Sequence, residues 1–161
     1  MANTPDFKRK PIGVIKVFGG GWKRELNLVS WYGGPFEYDV RDWAPGHKKM
    51  GRGIHLDLES MKVFVAAYME WRKENIVEKG IPVREIRGES NIPIDVYADI
   101  AALPKWTKDG FKYLVRSASW NDQKPKIDIR GWRGNRMKLG VTLTQEEADA
   151  LCKLFLETQT I

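Results

Sequence analysis

Two tryptophan pairs in this 161-residue chain stand among aspartate and arginine at one repeated spacing. Trp31, Asp39, Arg41 and Trp43 form the first set, and Trp120, Asp128, Arg130 and Trp132 the second, 89 residues on. Beyond a basic loop the offset becomes 87, because the second copy has two residues fewer there, and Met50, Gly53 and Leu56 fall on Met137, Gly140 and Leu143. Indole faces stack unpaired bases for about 1–3 kcal/mol each, while lysine and arginine follow the phosphates. Binding a single strand is the chemistry these residues support. Self-similarity at a fixed offset marks a tandem duplication of one small β-rich unit.

The elements that must position these side chains follow from the period of two. Between Trp22 and Trp31, Leu26 and Leu28 share one face with Trp22 and Arg24, and Lys23, Glu25, Asn27 and Trp31 take the other. After a Gly-Gly-Pro turn, Tyr38 and Val40 oppose Asp39, Arg41 and Trp43. A half-buried antiparallel sheet alternates apolar-in and polar-out, and here the polar face carries a tryptophan on each strand. The loop over residues 44–53 adds Lys48, Lys49 and Arg52, after which Ile54 and Leu56 point inward and His55 outward. In the second copy, Lys112, Arg116 and Trp120 match the first polar strand. Lys126, Asp128, Arg130 and Trp132 match the second, and the shortened loop carries Arg133, Arg136 and Lys138. Asp39 and Asp128 are read as orienting the adjacent arginines. Trp22, Trp71 and Trp106 are expected in the core or at an interface.

Around these units, residues 1–7 read as a loose tail and Pro11 to Phe18 as a strand. Gly19-Gly20-Gly21 is followed by no Gly-Lys-Ser/Thr, so it reads as a hairpin connection rather than a phosphate loop. Asp57 is the expected N-cap of a helix to about Lys79, striped by Met61, Phe64, Val65, Tyr68 and Met69. Val63, Ala66 and Ala67 widen that stripe, so the helix should cover its own sheet and meet a partner helix. Residues 80–93 read as a linker. Ile94 to Leu103 fits a strand or a short helix, with the strand favoured by analogy. Thr144 and Glu147 form a capping box for a final helix with Ala148, Leu151, Cys152 and Phe155 on one stripe.

The net charge is +6. Phe7 to Leu56 holds ten Lys/Arg and four Asp/Glu, and Phe111 to Leu143 holds eight and two. Each window thus balances at +6 and the remainder at −6, which is the electrostatic footprint of a polyanion binder. Cys152 is the one cysteine, so no intrachain disulfide forms and a reducing compartment is expected. The N-terminus lacks an apolar core of signal type, and the longest apolar run, Val63 to Met69, is too short to span a bilayer. A soluble, cytoplasmic protein without membrane contact is expected. His47 and His55 are the only histidines, no Cys/His cluster has zinc spacing, and Asp39 and Asp128 each sit beside their own arginine. No enzyme activity, metal or cofactor is expected. Halves of about 70 residues are marginal for a core, so each should bury a face against the other.

The run GWKRELNLVSW…YDVRDWAPGHKKMGRGIHL resembles the positive-cofactor-four (transcriptional coactivator) single-stranded DNA-binding family, particularly its small bacterial members. The likeness covers about residues 8–75. A weaker one over 94–158 rests on SWNDQKPKIDIRGW and GVTLTQEE. The resemblance implies an α+β fold, a curved four-stranded antiparallel sheet followed by one helix, working as a dimer with grooves for single-stranded DNA. One duplicated chain would form that dimer internally: repeats at 8–79 and 94–158 joined by the 80–93 linker, as a monomer with a pseudo-twofold or a swapped homodimer. By position, Trp31 and Trp43 would stack bases and Lys23, Arg41, Lys48, Lys49 and Arg52 would contact the backbone. Trp120, Trp132, Lys112, Arg130, Arg136 and Lys138 would repeat these roles, although Leu139 stands where the first copy has Arg52. The expectation is a single-stranded DNA binder of low sequence specificity in transcription, replication or repair. The alternatives are a module docking on transcription or replication proteins, and an RNA binder.

Overall fold

Alternating strands pair into two antiparallel sheets, each leading into a helix. The computed structural model describes residues 6–74, 81–86 and 93–159. In the first sheet, β1 (Phe7–Val17), β2 (Lys23–Trp31), β3 (Phe36–Trp43) and β4 (Met50–Leu56) lie in chain order, and α1 (Leu58–Arg72) follows. The second sheet comprises β5 (Val83–Ile86), β6 (Pro93–Trp106), β7 (Lys112–Trp120), β8 (Lys126–Arg133), β9 (Arg136–Met137) and β10 (Val141–Leu143), and α2 (Gln145–Gln159) follows it. Its order is β10-β8-β7-β6-β5, with β9 also on β8. The fold is α+β.

The β2–β3 and β7–β8 hairpins share one register. Lys23 faces Trp43 and Asn27 faces Asp39, as Lys112 faces Trp132 and Arg116 faces Asp128. Both turn through two residues of positive φ, Tyr32 (50°) and Gly33 (76°) in one and Asn121 (50°) and Asp122 (59°) in the other. Such turns match the right-handed twist of the strands. The strands next to β2 and β7 agree as well, with register shifts at Pro11/Gly13 in β1 and Asp99/Ala101 in β6. Bulges of this kind bend a strand and increase its twist.

Several elements depart from expectation. Residue 7 is not tail: β1 starts at Phe7, because Tyr32 N–H bonds the Asp6 carbonyl (2.8 Å) and carries the pairing past Pro11. Ile94 to Leu103 is strand, within β6. The expected linker contains β5, paired to β6 from Val83–Val96 to Ile86–Pro93. The second sheet therefore has six strands rather than four, since the shortened loop also breaks the last strand into β9 and β10. Helix α1 ends at Arg72 with Lys73 and Glu74 in a turn, and residues 75–79 of its expected extent lie outside the described residues.

Both halves build one core. Leu26, Val40 and Leu56 of the first sheet, Val115 and Ile129 of the second, and Phe64 and Leu151 of the helices belong to one buried cluster. Helix α1 runs chiefly along β6 of the other sheet, and α2 along β1. This crossing differs from the expected arrangement of each helix on its own sheet, and it explains the wide apolar stripe of α1. Met69, at the margin of that stripe, stays 43% exposed. Asp57 caps α1 by accepting from Ser60 N–H (2.8 Å), and Ser60 Oγ accepts from Lys105 N–H of β6 (3.1 Å). Tyr68 on α1 donates to Asp149 on α2 (2.7 Å). Thr144 Oγ1 accepts from Glu147 N–H (3.2 Å), but the Glu147 carboxylate bonds Arg24 Nη1 (2.7 Å) of the first sheet instead of returning to the cap. Cys152 is buried in the shared core, which pushes its thiol up to about 12. Among the described residues no helix is long and apolar enough to cross a membrane.

Gly53 and Gly140 hold equivalent places beside an arginine. A Cβ on Gly53 would lie 2.1 Å from Arg41 Cβ and 2.5 Å from Val40 O; one on Gly140 would lie 2.3 Å from Arg130 Cβ and 2.4 Å from Ile129 O. Gly53→Ala and Gly140→Ala should each cost roughly 1–3 kcal/mol by forced backbone displacement, read as a lowered urea midpoint. Gly19→Ala, which meets nothing within 4 Å, should leave the midpoint nearly unchanged.

A polar link also joins the halves. His55 Nδ1 lies 2.8 Å from Glu37, and Lys105 of β6 donates to the His55 carbonyl. The bond to His55 holds the Glu37 carboxyl below its usual 4.5 against the opposing effect of burial. A depressed carboxyl contributes stability above its unfolded value and loses it as pH falls through the folded one. As pH is lowered through and below 4.5, the urea midpoint should therefore fall more steeply in the wild type than in Glu37→Gln. Parallel curves would remove Glu37 from the acid response.

Candidate nucleic-acid interface

The alternation that sends Leu26, Tyr38 and Val40 into the core places Trp31, Asp39, Arg41 and Trp43 together on the opposite face of the first sheet. Asp39 is 0% exposed and accepts two bonds from Arg41, at Nε (2.7 Å) and Nη2 (2.9 Å). Burial pushes the Asp39 carboxyl up, against the lowering pull of that guanidinium. So held, Arg41 lies over the Trp31 ring at 5.0 Å, and Phe7 approaches the same indole at 5.5 Å. Trp31 stays half-buried. Lys23 in the row of Trp43, Lys48 and Lys49 in the following loop, and Arg52 beside Arg24 and Asp42 are exposed, and among the described residues none of them has a carboxylate within ion-pair distance. Deeper in the face, Glu25 is held by His47 Nε2 (2.9 Å) and Asn27 Nδ2 (3.2 Å), and Arg9 donates to Asn27 (3.1 Å).

The second sheet repeats the arrangement and closes it. Trp120 and Trp132 stack on each other with centroids 6.1 Å apart and planes 8° apart. Arg130 lies over Trp120 at 4.7 Å and is ion-paired to Asp128 at 2.8 Å, and Trp120 Nε1 also donates to Asp128 (2.8 Å). Arg116 covers Trp132 at 5.3 Å and pairs with Glu85 of β5 (3.1 Å) and Asp99 of β6 (3.0 Å). Lys138 is tied to Asp109 at 3.0 Å. Lys126 and Arg136 are exposed, and Lys112 is half-buried.

The candidate tryptophans, with Arg41, Arg116 and Arg130, thus gather on two equivalent faces, whereas Arg52 lies beside Arg24 and Asp42 and Lys138 over Phe111, and not all the gathered side chains are accessible. Trp43 is 1% exposed and Trp132 7%, so neither offers a free ring face to a base. The cause for Trp43 is Phe7 (5.7 Å) and His47 (5.2 Å) closing over it. For Trp132 it is Trp120 together with the apolar cluster of Ile94, Val96 and Ala118. Arg130, also expected at the backbone, is 7% exposed and committed to Asp128. Nε1 of Trp31, Trp43 and Trp132 is buried with no acceptor among the described residues. A buried unpaired donor costs about 1–3 kcal/mol.

Two features escape the residue pattern. Phe7 and Arg9 belong to the first face, and the only signal for them was that Lys8 to Lys10 continues the alternation of β1. Trp106 is not in the core. It stands 61% exposed at the end of β6, with Lys112 Nζ 4.7 Å above its ring. Trp22 and Trp71 are half-buried, Trp71 against the shared core.

No protein-family model matches the chain. A stretch of 44 residues is 46% identical to an uncharacterized protein of Treponema pallidum (strain Nichols), over 27% of this chain and 52% of that protein. The chain therefore spans about half the length of the curated relative it matches.

Proposed function

We propose that the chain binds single-stranded DNA with low sequence specificity, as an internal pseudo-dimer of two coactivator-like repeats similar to the positive-cofactor-four family. The observation that carries this reading is the first sheet: a half-buried Trp31 braced by Arg41, with exposed Lys23 in the row of Trp43, Lys48 and Lys49 in the loop after β3 and Arg52 on β4, none carboxylate-paired among the described residues. A polyanion replaces no internal ion pair there. An unpaired base stacks on the half-exposed ring of Trp31, and the four cations follow the phosphates. The second face contributes Lys112, Lys126 and Arg136 at its margin, with Trp120 and Trp132 holding its shape. Such a protein serves processes that expose single strands, namely transcription, replication or repair.

Tryptophan fluorescence tests this during titration with oligothymidine, a duplex of equal length and the matching RNA. Salt-sensitive quenching by the single strand and little by duplex is expected; an equal response to duplex sinks the stacking reading, and equal affinity for RNA widens the ligand. The double substitution Lys48→Glu/Lys49→Glu should weaken binding to every sequence alike. It should also flatten the log–log salt dependence by roughly 1.4, at about 0.7 per lost phosphate contact. An unchanged slope would leave docking on a protein partner as the better account. Light scattering should give a monomer of 18.5 kDa, since the two halves already share one core; twice that mass would indicate exchanged halves.

A further inference from the structure

The two faces can be compared row by row across their strands. In the first sheet one row runs Val17, Lys23, Trp43, Met50. Its counterpart runs Trp106, Lys112, Trp132, Met137. Three of four positions agree in residue type, and the fourth exchanges valine for tryptophan. Both outer residues are 61% exposed. Of the chain's seven tryptophans, Trp106 alone is exposed.

Trp106 also stands among cations. Lys112, its cross-strand neighbour, places an ammonium 4.7 Å from the ring centre, and Lys108 is exposed in the adjoining turn. Inside the same face the indoles of Trp120 and Trp132 are stacked on each other, and Arg130 and Arg116 occupy their remaining faces. The ring positions that the duplication places inside the second face are therefore filled from within. An exposed indole beside an ammonium in the same row supplies both parts of a base-and-phosphate contact.

We infer that Trp106 and Lys112 form the base-stacking site of the second face, taking one unpaired base on the Trp106 ring with its phosphate on Lys112. The site rests on the proposed single-strand binding and adds to it a contact with no counterpart in the first repeat. A strand crossing both faces then stacks near Trp31 in the first and at the outer end of β6 in the second.

The test uses the full chain titrated with oligothymidine, comparing Trp106→Ala, Trp106→Phe and, at the matching place in the first row, Val17→Ala. Trp106 is exposed, so its removal leaves the core intact, and urea midpoints should match the wild type. Trp106→Ala should bind roughly 5- to 150-fold more weakly, the range one stacked base supplies. Trp106→Phe should retain most of the affinity and lose much of the quenchable emission, and Val17→Ala should bind as the wild type does. Unchanged affinity in Trp106→Ala, with the wild type still binding, overturns this site and leaves the proposed function standing. Equal weakening in Trp106→Phe and Trp106→Ala overturns stacking as its role. A wild type that binds no single strand overturns the proposed function and this site with it.

Discussion

Neither sheet of this protein closes a core alone, and the rest of the structure follows from that constraint. Half-chains of about 70 residues bury too little apolar surface for secure independent stability. Here both core faces and both helices meet in one cluster, with α1 laid along β6 and α2 along β1. The seam is also tied by polar contacts between the halves. Arg24 of the first sheet bonds Glu147 of α2, Tyr68 of α1 bonds Asp149 of α2, and Lys105 of β6 bonds the His55 carbonyl. Removing a partner from such a contact leaves a buried polar group unsatisfied, at a cost beyond the lost bond itself.

With one face of each sheet committed to the core, the other is shaped by a repeated unit of aspartate, arginine, indole and glycine. Asp39 and Asp128 sit fully buried, and each holds the arginine two residues on. Those arginines lie over Trp31 and Trp120. Buried ion pairs stabilise a fold only where their geometry compensates for lost hydration, and the multiple hydrogen bonds supply it here. Gly53 and Gly140 complete the unit, because any side chain there would collide with the arginine stem. The glycines of the KMGRG and KLG segments are thus packing residues as well as loop residues.

The copies use their positive charge differently. Each β window carries the same excess in sequence, yet three carboxylates from outside the second window enter its structure. Glu85 and Asp99 pair with Arg116, and Asp109 pairs with Lys138. The second face is thereby partly neutralised and knitted shut, while the first keeps exposed cations without such partners among the described residues. The first face is thus the more open of the two, and the interior of the second is filled by its own indoles and guanidinium groups.

Much of this was legible in residue order alone. The offset of 89, the period-two sorting of β2, β3, β7 and β8, the helix start at Asp57 and the burial of Cys152 depend on local pattern, and each is found in the fold. Which polar-face tryptophans stay accessible was not legible. Alternation assigns a side chain to a face but says nothing about what folds over that face. Phe7 from the supposed tail covers Trp43, β5 from the supposed linker neutralises Arg116, and Trp106 is left standing at the end of a strand. Those outcomes depend on contacts between residues far apart in the chain, and only tertiary packing decides them.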